Sequence, residues 1–146
     1  MLRIGTDVVD ISEVAQSLQR FGDRYARRVF TEGELGSWRR GDVTAAADLA
    51  ERFAAKEAAI KVLAPGERGL DWRSVEVSRD QRGGCALSLS GTAAALAHEA
   101  GADQLSLSIS SAGGLAMAVV VASSGRRRTG IGTAGTGTAA PGGGKA

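Results

Sequence analysis

Asp7 and Glu57 are the residues whose type and place invite chemistry. Asp7 lies in residues 3–9 (RIGTDVV), a run that reads as a strand although Gly5 and Asp7 are poor strand formers, so something beyond strand structure placed them there. Glu57 falls in residues 45–63, a stretch of strong helix formers without Gly or Pro that Ala64, Pro65 and Gly66 close. If that strand packs on that helix, the two carboxylates could share one Mg2+, a cation that takes a few carboxylates and completes its shell with phosphate oxygens and water. Plainer assignments stand beside this one: Asp7 as a turn or cap residue, and Glu57 as the ion-pair partner of Lys61 four residues on.

The elements that must position these groups follow from periodicity. At about 100° per residue, Leu49, Phe53, Ile60 and Leu63 form one apolar stripe on the long helix, with Glu57 and Lys61 at its edge and Lys56 inside its arc. A carboxylate at that edge is partly desolvated, and a lysine inside the arc snorkels outward. Ile11, Val14, Leu18 and Phe21 predict an earlier amphipathic helix, with Arg20, Arg24, Arg27 and Arg28 along its continuation. Thr31 and Glu34 have the spacing of a capping box opening a short helix towards Trp38. Residues 74–79 and 85–90 alternate around turn residues 81–84 and predict a hairpin. Residues 91–101 form an alanine-rich helix, and 105–111 with 115–122 form a second hairpin through 112–114. Its last strand lacks alternation and so is expected to be buried on both faces. This order implies an α+β fold, a mainly antiparallel sheet packed on a long helix.

With 146 residues the chain has the size of one domain. Residues 125–146 carry eight glycines and Ile131 as their one large apolar side chain, so they are expected to be a flexible tail behind a domain of residues 1–124. Cys85 has no partner for an internal disulfide and no leader-like segment opens the chain, which points to the cytoplasm. The longest apolar run, 115–122, is too short to cross a bilayer as a helix. A net charge of +2 is too mild to indicate nucleic acid and suits an acidic protein partner; the Arg126, Arg127, Arg128 run reads as a solubilising start to the tail.

Four segments carry a family resemblance. IGTDVVDI (residues 4–11) resembles the opening signature of the holo-(acyl carrier protein) synthases, the small trimeric type of phosphopantetheinyl transferase. RFAAKEAAIK (52–61) is similar to their central helix signature, FTEGEL (30–35) to the segment between, and LSISS (107–111) to the strand near the C-terminus. All occur in order, so the resemblance covers about residues 2–123. It implies the 4'-phosphopantetheinyl transferase fold, a homotrimer with active sites between subunits, and transfer of the 4'-phosphopantetheine arm from coenzyme A to a serine of an apo acyl carrier protein, with adenosine 3',5'-bisphosphate leaving. Carried over position by position, Asp7 and Glu57 are the Mg2+ ligands, and with Lys61 they form the catalytic set. Arg52, Lys56, Lys61 and Ser111 would bind the coenzyme. Arg20, Arg24 and Arg28, spaced four apart, are candidate carrier-docking residues, with a solvated helix face as the alternative.

Two departures qualify the resemblance. Ser111 stands where the family pattern has a histidine, while the chain's one histidine, His98, lies in the preceding helix as a surface residue. Glu13 stands where many members carry a basic residue. The first bears on activity and the second on docking. A working transferase for a fatty-acid carrier, or for one of a polyketide or similar pathway, therefore competes with a non-catalytic relative that binds coenzyme A or a carrier protein as an interaction module. Because residues 125–146 lack core-forming side chains, truncation after Ser124 should leave the melting temperature and oligomeric state unchanged, as differential scanning calorimetry and light scattering would report.

Overall fold

The computed structural model describes residues 1–36, 38, 39, 42 and 45–125. Alternating side chains form β1 (Leu2–Asp10), β2 (Val75–Arg79), β3 (Cys85–Leu89), β4 (Gln104–Ala112) and β5 (Leu115–Ser123). Between them lie α1 (Ile11–Phe21), α2 (Asp23–Val29), α3 (Glu32–Leu35), α4 (Ala46–Leu63) and α5 (Gly91–Glu99). All pairing is antiparallel and is split between two sheets: β5 lies between β1 and β4, and β2 pairs with β3 alone. The predicted α+β architecture is therefore present, with two sheets in place of one.

Helix α4 packs across β1 and β5. Its face towards them is built from Ala54, Ala55, Ala58, Ala59 and Val62, all buried, whereas Phe53 and Ile60 are half-buried. The expected stripe is kept in part, Leu49 and Leu63 being buried, and the alanines form a second buried face whose small side chains let the helix come close to the sheet. Gly5 completes that approach: a Cβ on it would lie 2.1 Å from the Ala58 carbonyl oxygen and 2.8 Å from Val62 Cγ2. The weak strand former at position 5 is there for packing. The helix stops where Ala64 takes a left-handed backbone (φ 47°) and Pro65 follows.

Two further expectations are corrected. Gly22, at φ 54°, ends α1 and starts α2 in a new direction, so the arginines expected along one continuation are divided. Phe21, at that break, leaves the buried stripe of Val14 and Leu18 and is 50% exposed. Strand β5 is not buried on both faces in the single chain. Ala116, Ala118, Val120 and Ala122 face α4 and are buried, while Leu115 and Met117 are exposed beside Leu2, Ile4 and Val8 of β1. The run is apolar throughout because one face packs inward and the other presents an apolar sheet surface.

No helix among the described residues is long and apolar enough to cross a membrane. Ser124 N donates to the Met1 carbonyl (3.1 Å) and Gly125 N to Asp103 Oδ2 (3.2 Å); the rest of the expected tail lies outside the described residues. Gly5→Ala should lower stability by about 3 kcal/mol in urea unfolding, since backbone on both sides of the contact must move to admit the methyl.

Candidate active site

The packing of β1 on α4 brings together residues that the sequence separates by fifty positions. Lys61 Nζ donates to Asp7 Oδ1 and to the Thr6 carbonyl oxygen, each at 2.8 Å. Glu57, one turn earlier on α4, lies close enough to feel both charges. Burial first, and the negative charge of Asp7 second, push the Glu57 carboxyl above its ordinary value, while the Lys61 ammonium pulls it back. Asp10, the other acid of this strand, is accounted for locally: it caps α1, its Oδ1 accepting from Ser12 N at 2.8 Å and from Ser12 Oγ at 2.7 Å. Asp7 has no such local duty.

Two neighbouring carboxylates, one in a partly desolvated position, are a donor set for a hard divalent cation. Among the described residues no cluster of three or more His, Cys, Asp or Glu side chains gathers. Asp7 and Glu57 are the two carboxylates that could hold a Mg2+ ion, whose other ligands would be drawn from phosphate and water.

The coenzyme-binding expectations divide. Lys56 is fully buried, and the reading of it as a coenzyme contact or a snorkelling lysine is corrected: its ammonium pairs with Glu34 Oε2 at 2.8 Å and donates to the carbonyls of Trp72 (3.0 Å) and Val75. Burial holds that ammonium below the ordinary lysine value despite the pull of Glu34. Glu34 in turn accepts from Val77 N (2.8 Å) and Thr31 N (2.9 Å), while Thr31 Oγ1 accepts from Glu34 N. The capping box seen in the sequence is real, and its glutamate is also the buried counter-ion of α4. Nothing local in the sequence signalled that second role, because the partners are 22 residues apart and meet only through tertiary packing.

Arg52 is mostly buried, its Nε donating to Asp48 Oδ2 at 2.8 Å and its Nη1 to the Val77 carbonyl. Ser111 is exposed near the end of β4, and its hydroxyl donates to Glu51 Oε1 at 2.6 Å. Arg79 links these residues, pairing with Glu51 and, at 3.0 Å, with Asp48. Sequence reading missed Glu51 and Arg79, which sit on different elements and have no spacing signature. An apolar groove of about 300 Å3 adjoins Ser111, walled by Val8, Ser110, Ala112, Leu115 and Met117. Arg20, Arg24 and Arg28 are all exposed, Arg20 lying 5.1 Å from the Phe21 ring centroid, but Gly22 places Arg20 on a different helix from the other two. His98 is exposed on α5, as expected.

A family model described as the 4'-phosphopantetheinyl transferase superfamily matches residues 3–120. The holo-(acyl-carrier-protein) synthase of Herpetosiphon aurantiacus is 41% identical over 128 residues, which span 83% of this chain and 98% of that relative. Among solved structures, the Chronobacterium ammoniagenes ACPS-CoA complex superposes with a TM-score of 0.71 at 31% identity, covering 86% of this chain and 99% of the other. Helicobacter pylori holo-(acyl-carrier-protein) synthase in complex with coenzyme A gives 0.69 at 28% identity, covering 83% and 100%.

The charges around Glu57 make a direct test. In carbon-detected NMR of the metal-free protein, Asp7→Asn should move the Glu57 carboxyl pKa down, because it removes a neighbouring negative charge, and Lys61→Met should move it up, because it removes a positive one. A Glu57 value indifferent to both changes would contradict the proximity.

Proposed function

The chain belongs to the 4'-phosphopantetheinyl transferase superfamily, among its holo-(acyl-carrier-protein) synthases, and from that premise we propose a magnesium-assisted transfer of the phosphopantetheine arm of coenzyme A to a serine of an apo acyl carrier protein. The observation that carries this reading is the meeting of Asp7, Glu57 and Lys61 where β1 crosses α4. Asp7 and Glu57 would hold the cation. Mg2+, when bound, supplies charge neutralisation at the phosphate under attack. The half-exposed Lys61 ammonium would stabilise the phosphate oxygens as negative charge builds on them. Glu57, acting through a water, would take the proton of the attacking serine. Adenosine 3',5'-bisphosphate is the leaving group.

Arg52 and Ser111 border one polar cluster with Arg79 and are proposed as coenzyme contacts. Lys56 is not among them. The apolar sheet surface of Leu2, Ile4, Val8, Leu115 and Met117 supports a homotrimer in which a second copy covers it, and the groove beside Ser111 opens on the same surface. Sites between subunits would follow from that arrangement. Arg20, Arg24 and Arg28, with exposed Phe21 among them, are proposed to meet an acidic carrier in the cytoplasm, of a fatty-acid or polyketide-type pathway.

Incubation with coenzyme A, Mg2+ and several apo carriers, read by intact mass, tests the reading. Asp7→Ala and Glu57→Ala should abolish attachment of the arm while keeping the fold. Full activity in either variant, or in the parent with excess chelator, would overturn the metal assignment. Ser111→His should raise the single-turnover rate, by a factor on the order of 10², since an imidazole is a stronger and longer donor than a hydroxyl and positioning otherwise dominates phosphoryl transfer.

A further inference from the structure

Asp7 is the sheltered member of its ion pair: its side chain is 17% exposed, that of Lys61 52%. The ammonium rests on two oxygens of consecutive residues, Asp7 Oδ1 and the Thr6 carbonyl, both at 2.8 Å. It is therefore held at one point of the strand, and that point is a place of high negative potential, with the Glu57 carboxylate nearby. Oxygen donors so arranged would serve a hard divalent cation as well as an ammonium. Serving both at once would set two cations a few ångströms apart in a partly desolvated setting, where like charges repel.

We propose that Lys61 is a positioning residue with two stations: in the metal-free protein its ammonium is the resident counter-ion of Asp7, and loading of the metal drives it off that carboxylate towards the phosphates of the co-substrate. This rests on the reading of Asp7 and Glu57 as the metal's ligands. The consequence is an order in the site. Alone, the divalent cation must displace Lys61 and leave it without a partner. With coenzyme A present, the displaced ammonium gains phosphate oxygens. Cation and co-substrate therefore bind with positive coupling, and the coupling is reciprocal. Lys61 keeps Asp7 in place and neutral to its surroundings until both arrive.

Manganese(II) serves as the probe, its binding followed by electron paramagnetic resonance with and without coenzyme A. Lys61→Gln should bind Mn2+ alone about fivefold more tightly than the parent, the loss of a competitor in a half-exposed ion pair. In the same variant, the factor by which coenzyme A tightens Mn2+ should shrink. Lys61→Arg, which keeps the charge, should retain weak binding of Mn2+ alone. Equal or weaker Mn2+ affinity in Lys61→Gln would overturn the two-station role while leaving the metal ligands standing. So would a crystal structure of the Mn2+-loaded protein in which Nζ stays 2.8 Å from Asp7 Oδ1. Absence of Mn2+ binding in every protein, with coenzyme A or without, would overturn the role together with the ligand assignment beneath it.

Discussion

The separation between β1 and α4 is the constraint on which the rest of the structure depends. A strand and a helix ordinarily keep side chains between them, but here Gly5 leaves no Cβ to hold the Ala58 carbonyl away, and Ala54, Ala55, Ala58 and Ala59 line the facing helix. At this distance the short side chain of Asp7 is within hydrogen-bonding reach of a lysine on α4, and its charge reaches Glu57. A bulkier seam would leave Asp7, Glu57 and Lys61 on the same elements yet out of reach of one another. The alanine content of α4 is thus a property of the site as much as of the core, since every methylene added to the seam would be felt as a displacement of carboxylates.

The opposite flank of α4 is held by a different kind of force. Lys56 and Glu34 have no exposed side-chain surface, so each charge is stabilised only by the other and by the polar groups around them. Those groups belong to separate elements: Trp72 and Val75 accept from the lysine, Thr31 and Val77 donate to the glutamate, and the Phe30 ring lies 5.9 Å from the ammonium. A pair of this kind adds little net stability over well-packed apolar residues, but it penalises any arrangement in which either charge is left alone. It therefore works on the rotation of α4. Lys56 and Glu57 are adjacent on the helix, so fixing the direction of one fixes the direction of the other.

Local features were legible in the sequence. The capping box at Thr31, the stop at Ala64 and Pro65, the two hairpins and the long helix all depend on residues within a turn or two of each other, and each lies where spacing placed it. Legibility fails where the deciding partner is distant. Hydrophobic periodicity put Phe21 in a stripe, but Gly22 turns the chain before the stripe can continue. Periodicity also put Lys56 on the apolar arc, correctly, without showing that Glu34 waits there. The resemblance singled out Ser111 for what it is not, whereas its hydrogen bond to Glu51 and the link through Arg79 emerge only when β4, α4 and β2 are assembled. The unbroken apolar run of β5 is the same signal for a strand buried on both faces and for one whose outer face is an apolar surface of the single chain, which is what the structure has.

The sheet order has a consequence for how the chain is made. Among the described residues β1 is at an edge and its one sheet neighbour is β5, the last strand, which is also the one neighbour of β4 in that sheet. During synthesis the strand bearing Asp7 emerges first and must wait for almost the whole domain to appear before any ladder can accept it. The three-stranded sheet cannot be completed before residues 115–123 have been made. Until that moment β1 has no sheet partner, and the chain carries the residues of a transferase without the surface that makes them one.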